Sequence, residues 1–138
     1  MNLPHTQQGS MLIEALVAIL VFSMGILAIV GLQATSVKLS ADAKYRADAG
    51  LLTNQLIAQM WVADHNTLGA AFSSPSGAQY LTWVASSVQQ SLPGVAGSTL
   101  PTVAVSASNV VTVTMRWQVP GVSANSGIHN YVAIAQIR

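Results

Sequence analysis

The sequence predicts an α+β protein with a long N-terminal helix, a small antiparallel sheet of about three strands and one short extra helix. Three observations predict this fold class. An apolar run without a charged side chain extends from Ala15 to Val37. Helical periodicity then continues without a breaker to about Ala63, and alternating β-branched residues concentrate after Pro101. The 138 residues have room for one membrane helix and one small globular domain.

The apolar run is long enough to span a bilayer. A helix over Met11–Leu32 is roughly 33 Å long at about 1.5 Å per residue, against a hydrocarbon core of about 30 Å. No other stretch of the sequence is comparably apolar. We therefore assign residues 10–32 to a transmembrane helix and residues 33–63 to its amphipathic continuation. Residues 1–9 are assigned to a leader, and residues 64–138 to a C-terminal α+β region.

Glu14 is the anomaly at the start of this run. A charged side chain at the centre of a membrane helix costs roughly 2.5–3.5 kcal/mol on insertion scales, so an intramembrane carboxylate is a functional hypothesis by default. The alternative is a side chain that reaches the headgroups from the helix end. The Gly9-Ser10 step precedes the run, whereas a secretory signal is cut after its apolar segment. Processing at this step would leave the apolar helix on the mature protein.

A glycine junction, a glutamate at fixed offset and an uncharged helix occur together in the stretch Gly9-Ser10-Met11-Leu12-Ile13-Glu14-Ala15-Leu16-Val17-Ala18. This stretch resembles the class III signal of type IV pilins and type II secretion pseudopilins. The resemblance implies that a prepilin peptidase cuts between Gly9 and Ser10 and methylates the new α-amine of Ser10. It also implies that Glu14 is the assembly glutamate. Because a nearby ammonium restores the charged form of a carboxylate in hydrocarbon, we hypothesise that Glu14 sets subunit register by pairing with the α-amine of its own or a neighbouring chain.

The same resemblance implies partners and a location. The N-terminal helix would contact the major pilin, other minor pilins, an inner-membrane assembly platform and, before assembly, the lipid bilayer. The protein would be a single-pass inner-membrane protein with a periplasmic C-terminal domain before assembly. Afterwards it would belong to a pilus at the cell surface.

Helical periodicity continues beyond the apolar run. Residues at spacings of three and four form one apolar stripe, made of Tyr45, Ala49, Leu52, Leu56, Met60 and Ala63. Asp42 with Arg46 and Lys44 with Asp48 are spaced for i,i+4 ion pairs. This charge cluster is interpreted as a solvated helix face, with a lateral contact between subunits as the alternative. The pattern predicts one helix from about Met11 to about Ala63, with Trp61 in core or rim packing.

Shorter elements follow the long helix. Turn formers end it over residues 64–69, and residues 70–77 are predicted to be a loop. A short helix over residues 79–91 is predicted from an apolar stripe at helical spacing, namely Leu81, Val84, Val88 and Leu92. Pro93 and Gly94 end it.

Alternation predicts three strands joined as an antiparallel meander, at residues 102–107, 110–119 and 128–137. One face of the second strand carries Val111, Val113, Met115, Trp117 and Val119. The inward face of the third strand stays open, because Val132 and Ile134 compete with Tyr131, Ala133 and Ile137. The loops at 70–77 and 120–127 are connections, or alternatively adhesive surfaces.

Trp83 on the short helix, then Leu92-Pro93-Gly94, then a strand reaching Trp117 resemble the type IV pilus modification protein PilV family of minor pilins. This resemblance implies a pilin-like fold and a part in starting pilus assembly or in its tip complex, supporting pilus biogenesis, motility or adhesion. An I-type minor pseudopilin of a type II secretion system is the alternative. A membrane-anchored domain without a filament role is a third hypothesis.

Composition argues against several other classes of function. Only 7% of residues are charged, too few for the basic face of a nucleic-acid-binding protein. The chain has no cysteine, so it has no disulfide and no thiolate metal site, and this modestly favours a minor pilin. The only acids are Glu14, Asp42, Asp48 and Asp64, and His129 has no acidic neighbour in the predicted sheet. We therefore expect neither an enzyme nor a cofactor or metal site.

Overall fold

The structure, a computed structural model, describes residues 8–121 and 127–138. The chain forms two compact units, one up to Ala41 and the other over Asp42–Arg138. The predicted fold class is confirmed, since the C-terminal part of a long N-terminal helix packs on a three-stranded antiparallel sheet that short helices accompany.

Helix α1 extends over Gln8–Val62 and has 55 residues without a proline. Beyond its end, Asp64 Oδ1 accepts a hydrogen bond from the Asn66 N–H at 3.0 Å, and the Thr67 N–H donates to the Asp64 carbonyl at 3.0 Å. These local hydrogen bonds stabilise a tight turn after Val62, so the helix does not continue. The predicted end near Ala63 is confirmed.

The amphipathic stripe on α1 is also confirmed. Its central members Ala49, Leu52, Leu56 and Met60 are buried, and the stripe's two ends are partly buried against them. Trp61 is 47% exposed and therefore packs at the rim rather than in the core.

Short helices connect α1 to the sheet. They are α2 (Leu68–Phe72), α3 (Ala78–Trp83), a π-helical turn (Val84–Val88) and α4 (Gln89–Ser91). The last three together confirm the short helix predicted over residues 79–91. The loop predicted from residue 70 was wrong at its start, because α2 continues to Phe72. The side chains of Leu68 and Phe72 lie four residues apart and are both buried, so tertiary packing stabilises a helical turn in a composition typical of loops.

One residue of the predicted stripe in this helical stretch was wrong. Leu81 is 53% exposed, whereas Val84 and Val88 are buried as predicted. Tyr80, Val84 and Val88 are spaced by four residues and share a helix face, from which Leu81 is rotated by about 100°. The aromatic ring of Tyr80 therefore occupies the core position that the prediction gave to Leu81.

Three strands form the sheet in the order β1-β2-β3, with both pairings antiparallel. Strand β1 is Thr102–Val105, β2 is Val110–Gln118 and β3 is Ile128–Gln136. All three predicted strands are confirmed, each slightly shorter than predicted. Asn109 adopts a φ of 55° in the turn between β1 and β2, a conformation that asparagine tolerates better than most residues.

The register of β3 settles the facing that the sequence leaves open. Val113 lies opposite Ala133, and Met115 lies opposite Tyr131, so the odd-numbered residues of β3 share the buried face of β2. Val132 is 51% exposed and Ile134 is 69% exposed on the other face.

A single apolar core lies between the inner face of the sheet, the C-terminal part of α1 and the short helices. Its largest fully buried side chains include Trp117, Leu56, Met60, Leu68 and Met115. The buried face predicted for β2 is therefore confirmed.

The Pro93-Gly94 connection is tied to the end of β2. The Gln118 N–H donates to the Pro93 carbonyl at 3.1 Å. Gly94 has a φ of +67°, and a Cβ there would lie 2.8 Å from the Cβ of Gln118. Glycine is needed at this position both for its φ and for the close approach of β2.

Tyr80 links α3 to the chain just before β1. Its hydroxyl donates a buried hydrogen bond to the Pro101 carbonyl at 2.8 Å, and burial raises the pKa of Tyr80. The unfolded chain therefore ionises this phenol at lower pH than the folded protein does. The stability that Tyr80 contributes is fully present below the unfolded-state pKa of about 10 and is lost as pH rises through the raised folded-state pKa.

Substitution Tyr80→Phe tests this assignment. Near neutral pH we expect it to lower the free energy of unfolding by about 1 kcal/mol, because the Pro101 carbonyl loses its donor while the ring remains. Above about pH 10, the wild-type protein should lose more stability than the variant does. Urea unfolding of the full chain in detergent at several pH values measures both effects. An equal alkaline loss in the two proteins would contradict the assignment.

Candidate functional site

The residues predicted to carry processing and assembly lie together at the start of α1. Gly9 and Ser10 are in this helix, and Glu14 follows Ser10 by four residues. Residues at this spacing lie on the same face one turn apart, and helical side chains lean toward the N-terminus. The Glu14 side chain therefore lies on the side of the helix where cleavage before Ser10 would create an α-amine.

Glu14 is exposed and carries the only charge near this end of the described helix. Within residues 8–121 and 127–138 it forms no hydrogen bond and no ion pair. In an apolar environment an unpaired carboxylate is strongly unfavourable, and a nearby ammonium restores its charged form. The arrangement provides a single carboxylate on an apolar helix that lacks a partner in the described part of its own chain.

The apolar part of α1 is exposed along its whole length. All side chains from Ser10 to Ser40 are classed as exposed. Soluble monomers rarely expose contiguous apolar patches beyond a few hundred Å². By length and composition this helix can cross a membrane, and none of its most apolar window is buried in the protein.

Hydroxyl groups within this apolar part bond to their own helix. Ser23 Oγ donates to the Ile19 carbonyl at 2.7 Å, and Thr35 Oγ1 donates to the Gly31 carbonyl at 3.1 Å. Such bonds satisfy a hydroxyl without a partner from outside the helix. These polar side chains therefore present little obstacle to contact with lipid or with another apolar helix.

Among residues 8–121 and 127–138, no group of three or more His, Cys, Asp or Glu is placed to hold a metal ion. A polar cavity of about 380 Å³ is lined in part by His65 and Ser106. The Ser106 hydroxyl accepts the Val110 N–H at 3.0 Å and lies 3.1 Å from Ser108 Oγ, so it belongs to the turn between β1 and β2.

Sequence reasoning missed one cluster of polar side chains. Nδ1 of His129 on β3 lies 3.2 Å from Oδ1 of Asp42 on α1, and the His129 ring stacks on Trp117 with centroids 5.8 Å apart. The prediction considered acids within the sheet only, whereas the acidic neighbour comes from the helix. Local periodicity carries no signal for a pair so distant in sequence.

The two ion pairs predicted on α1 are present. Lys44 Nζ lies 3.1 Å from Asp48 Oδ2, and Arg46 Nε lies 3.6 Å from Asp42 Oδ2. Both cationic side chains are more than half exposed, so each pair contributes only a few tenths of a kcal/mol. This fits the interpretation of a solvated helix face.

The proposed adhesive loops remain untested. In the first loop Phe72 and Gly77 are buried, whereas Ala70, Pro75 and Ser76 are exposed. Residues 122–126 of the second loop lie outside the described residues.

No family model, no curated protein and no solved structure matches the chain.

Proposed function

We propose that this protein is a minor pilin that enters a type IV pilus or its initiation and tip complex by its N-terminal helix. One observation carries the proposal. A lone carboxylate, Glu14, lies one turn after the Gly9-Ser10 junction on a helix that is otherwise apolar and exposed for about six turns beyond it. A helix that only anchors a domain in the membrane does not require a charged side chain at the position of Glu14.

The chemistry begins with processing. A prepilin peptidase cleaves the Gly9-Ser10 bond by adding water across it, and the α-amine of Ser10 is then methylated. This leaves a cationic nitrogen one turn from the Glu14 carboxylate. In lipid the two charges attract strongly, and a neighbouring subunit can provide the same partners.

Assembly follows from that pairing. A subunit leaving the bilayer exchanges lipid contacts for contacts with other apolar helices, which alone is close to neutral in free energy. Pairing of Glu14 with the α-amine of a neighbouring Ser10 favours the bundle and selects one axial register. The apolar helix is thus a lipid anchor before assembly and a filament contact afterwards.

The domain over residues 42–138 is the part of the protein that the filament would display. In this proposal it is periplasmic before assembly and lies on the pilus afterwards, where it supports biogenesis, motility or adhesion. Its partners through the N-terminal helix are the major pilin, other minor pilins and the inner-membrane assembly platform.

Substitution Gly9→Val tests the processing step. A side chain at the residue before the scissile bond should block cleavage, so the leader stays on the protein and the protein stays in the membrane fraction. Immunoblotting of membranes and of filaments sheared from cells, with intact mass to locate the N-terminus, measures the result. Gly25→Ala is the matched control, because a Cβ at Gly25 meets no atom within 4 Å, and it should be processed normally. Normal cleavage of Gly9→Val would contradict the proposed junction.

A deletion strain separates this function from the pseudopilin alternative. Loss of surface pili and of twitching motility is expected if the protein is a minor pilin. Loss of protein secretion with normal pili would instead assign it to a type II secretion system.

A further inference from the structure

Asp42 and His129 make a contact at the first residue of the domain formed by residues 42–138. Asp42 belongs to α1 and His129 to β3, so the contact joins the helix to the edge strand of the sheet. The Asp42 side chain is 29% exposed and that of His129 is 31% exposed. Water therefore reaches the imidazole but screens the attraction between the two side chains only in part. Histidine is the side chain whose charge ordinarily changes between pH 5 and 8.

The geometry makes this contact depend on charge. The atoms Nδ1 and Oδ1 are 3.2 Å apart, yet Oδ1 is buried and accepts no hydrogen bond from any described residue. The short distance therefore lacks the alignment that a hydrogen bond requires. A neutral imidazole gains little from such a contact, whereas an imidazolium gains the Coulomb attraction of a carboxylate at close range.

The stacking of His129 on Trp117 also favours the imidazolium form of His129. The ring of His129 is nearly parallel to that of Trp117, with an angle of 16° between their planes. Trp117 is fully buried, so it provides a fixed surface for the imidazole. A cation over the face of an indole is attracted by the electron density of the ring.

Other charged groups near the pair come from α1 alone among the described residues. Arg46 shares the Asp42 carboxylate through Oδ2 at 3.6 Å. Tyr131 lies two residues after His129 on the same face of β3. Arg116 alternates to the opposite face of β2, and residues 122–126 contain no titratable side chain.

We propose that Asp42 and His129 form a proton-operated clasp between α1 and β3. When His129 carries a proton, it attracts Asp42 and stabilises the first turn of the domain's helix on the sheet. When the imidazole is neutral, Asp42 retains only its ion pair with Arg46, and the first turn opens more often. The clasp itself is independent of the proposed function. Its use as a sensor of external acidity rests on that function, because an exported domain experiences the pH of its surroundings.

A double-mutant cycle on the full chain in detergent tests the clasp. Asp42→Asn, His129→Gln and the double variant are unfolded with urea at about pH 5.5 and pH 8. We expect a coupling that changes the unfolding equilibrium constant about threefold at the lower pH, and a coupling factor close to one at the higher pH. Equal coupling at both pH values, or coupling that is larger at pH 8, would overturn the proposal.

Two further measurements keep the result interpretable. Lys44→Gln with Asp48→Asn forms the matched control cycle, because this ion pair on the same helix contains no histidine, and its coupling should stay constant. If His129→Gln does not fold, the Asp42→Asn variant alone tests the proposal. It should lower the free energy of unfolding more at pH 5.5 than at pH 8. None of these measurements depends on cleavage or filament assembly, so failure of the clasp and failure of the proposed function are distinguishable.

Discussion

Substitution Glu14→Ala is expected to leave processing intact and to reduce incorporation into sheared filaments by about tenfold or more. The variant inserts into the membrane at least as well as the wild type, because a costly carboxylate is gone. Under the proposed function it loses the charge that would pair with a neighbouring Ser10 α-amine, so the helical bundle would be little more favourable than lipid. Quantitative immunoblotting of filament and membrane fractions gives the ratio directly.

Two controls separate the charge from the position. Glu14→Gln keeps the size and polarity of the side chain and removes the charge, so it should fail to incorporate as the alanine variant does. Ser23→Ala removes a polar group that bonds only to its own helix, so it should incorporate normally. Normal incorporation of Glu14→Ala would refute the role given to this residue.

Substitution Trp117→Ala should lower the free energy of unfolding by about 3–5 kcal/mol. Trp117 is fully buried near the C-terminal end of β2, and its removal takes away both core volume and the surface on which His129 stacks. A loss of this size is a large share of the stability of a small domain, so the variant is expected to be degraded or aggregated in cells. Urea unfolding followed by near-ultraviolet circular dichroism measures the loss.

Trp61→Ala is the matched control, since it removes the same side chain from a site that is 47% exposed, and it should cost much less. Trp117→Phe adds a second comparison. The indole Nε1 of Trp117 is buried without a hydrogen-bond partner among the described residues, so phenylalanine removes an unsatisfied donor together with some volume. We expect it to cost less than alanine. A smaller loss for Trp117→Ala than for Trp61→Ala would contradict the position of the core.

Periodic features were predictable from the sequence because one buried face imposes a fixed spacing. The stripe on α1 repeats every three or four residues, and the buried face of β2 repeats every second residue, so both are visible without tertiary information. The same reasoning failed at Leu81, where two overlapping helical spacings compete and the larger Tyr80 took the core. It also failed at α2, whose five residues are too few for a periodic signal.

In the candidate site, too, the sequence predicts local arrangements but not those that depend on tertiary packing. Gly9, Ser10 and Glu14 are close in sequence and lie on one helix, so their spacing alone determines that they are neighbours. Asp42 and His129 are brought together by the packing of α1 on the sheet. The facing of β3 likewise depended on its pairing with β2, since both of its faces carry apolar residues.

The most direct test of the proposed function is the intact mass and N-terminal sequence of the protein recovered from filaments sheared off cells. We expect a chain that begins at Ser10 and is heavier by one methyl group, found in the filament fraction. This result would establish processing, export and incorporation together. A chain that still begins at Met1, found only in the membrane fraction, would contradict the assignment as a pilin.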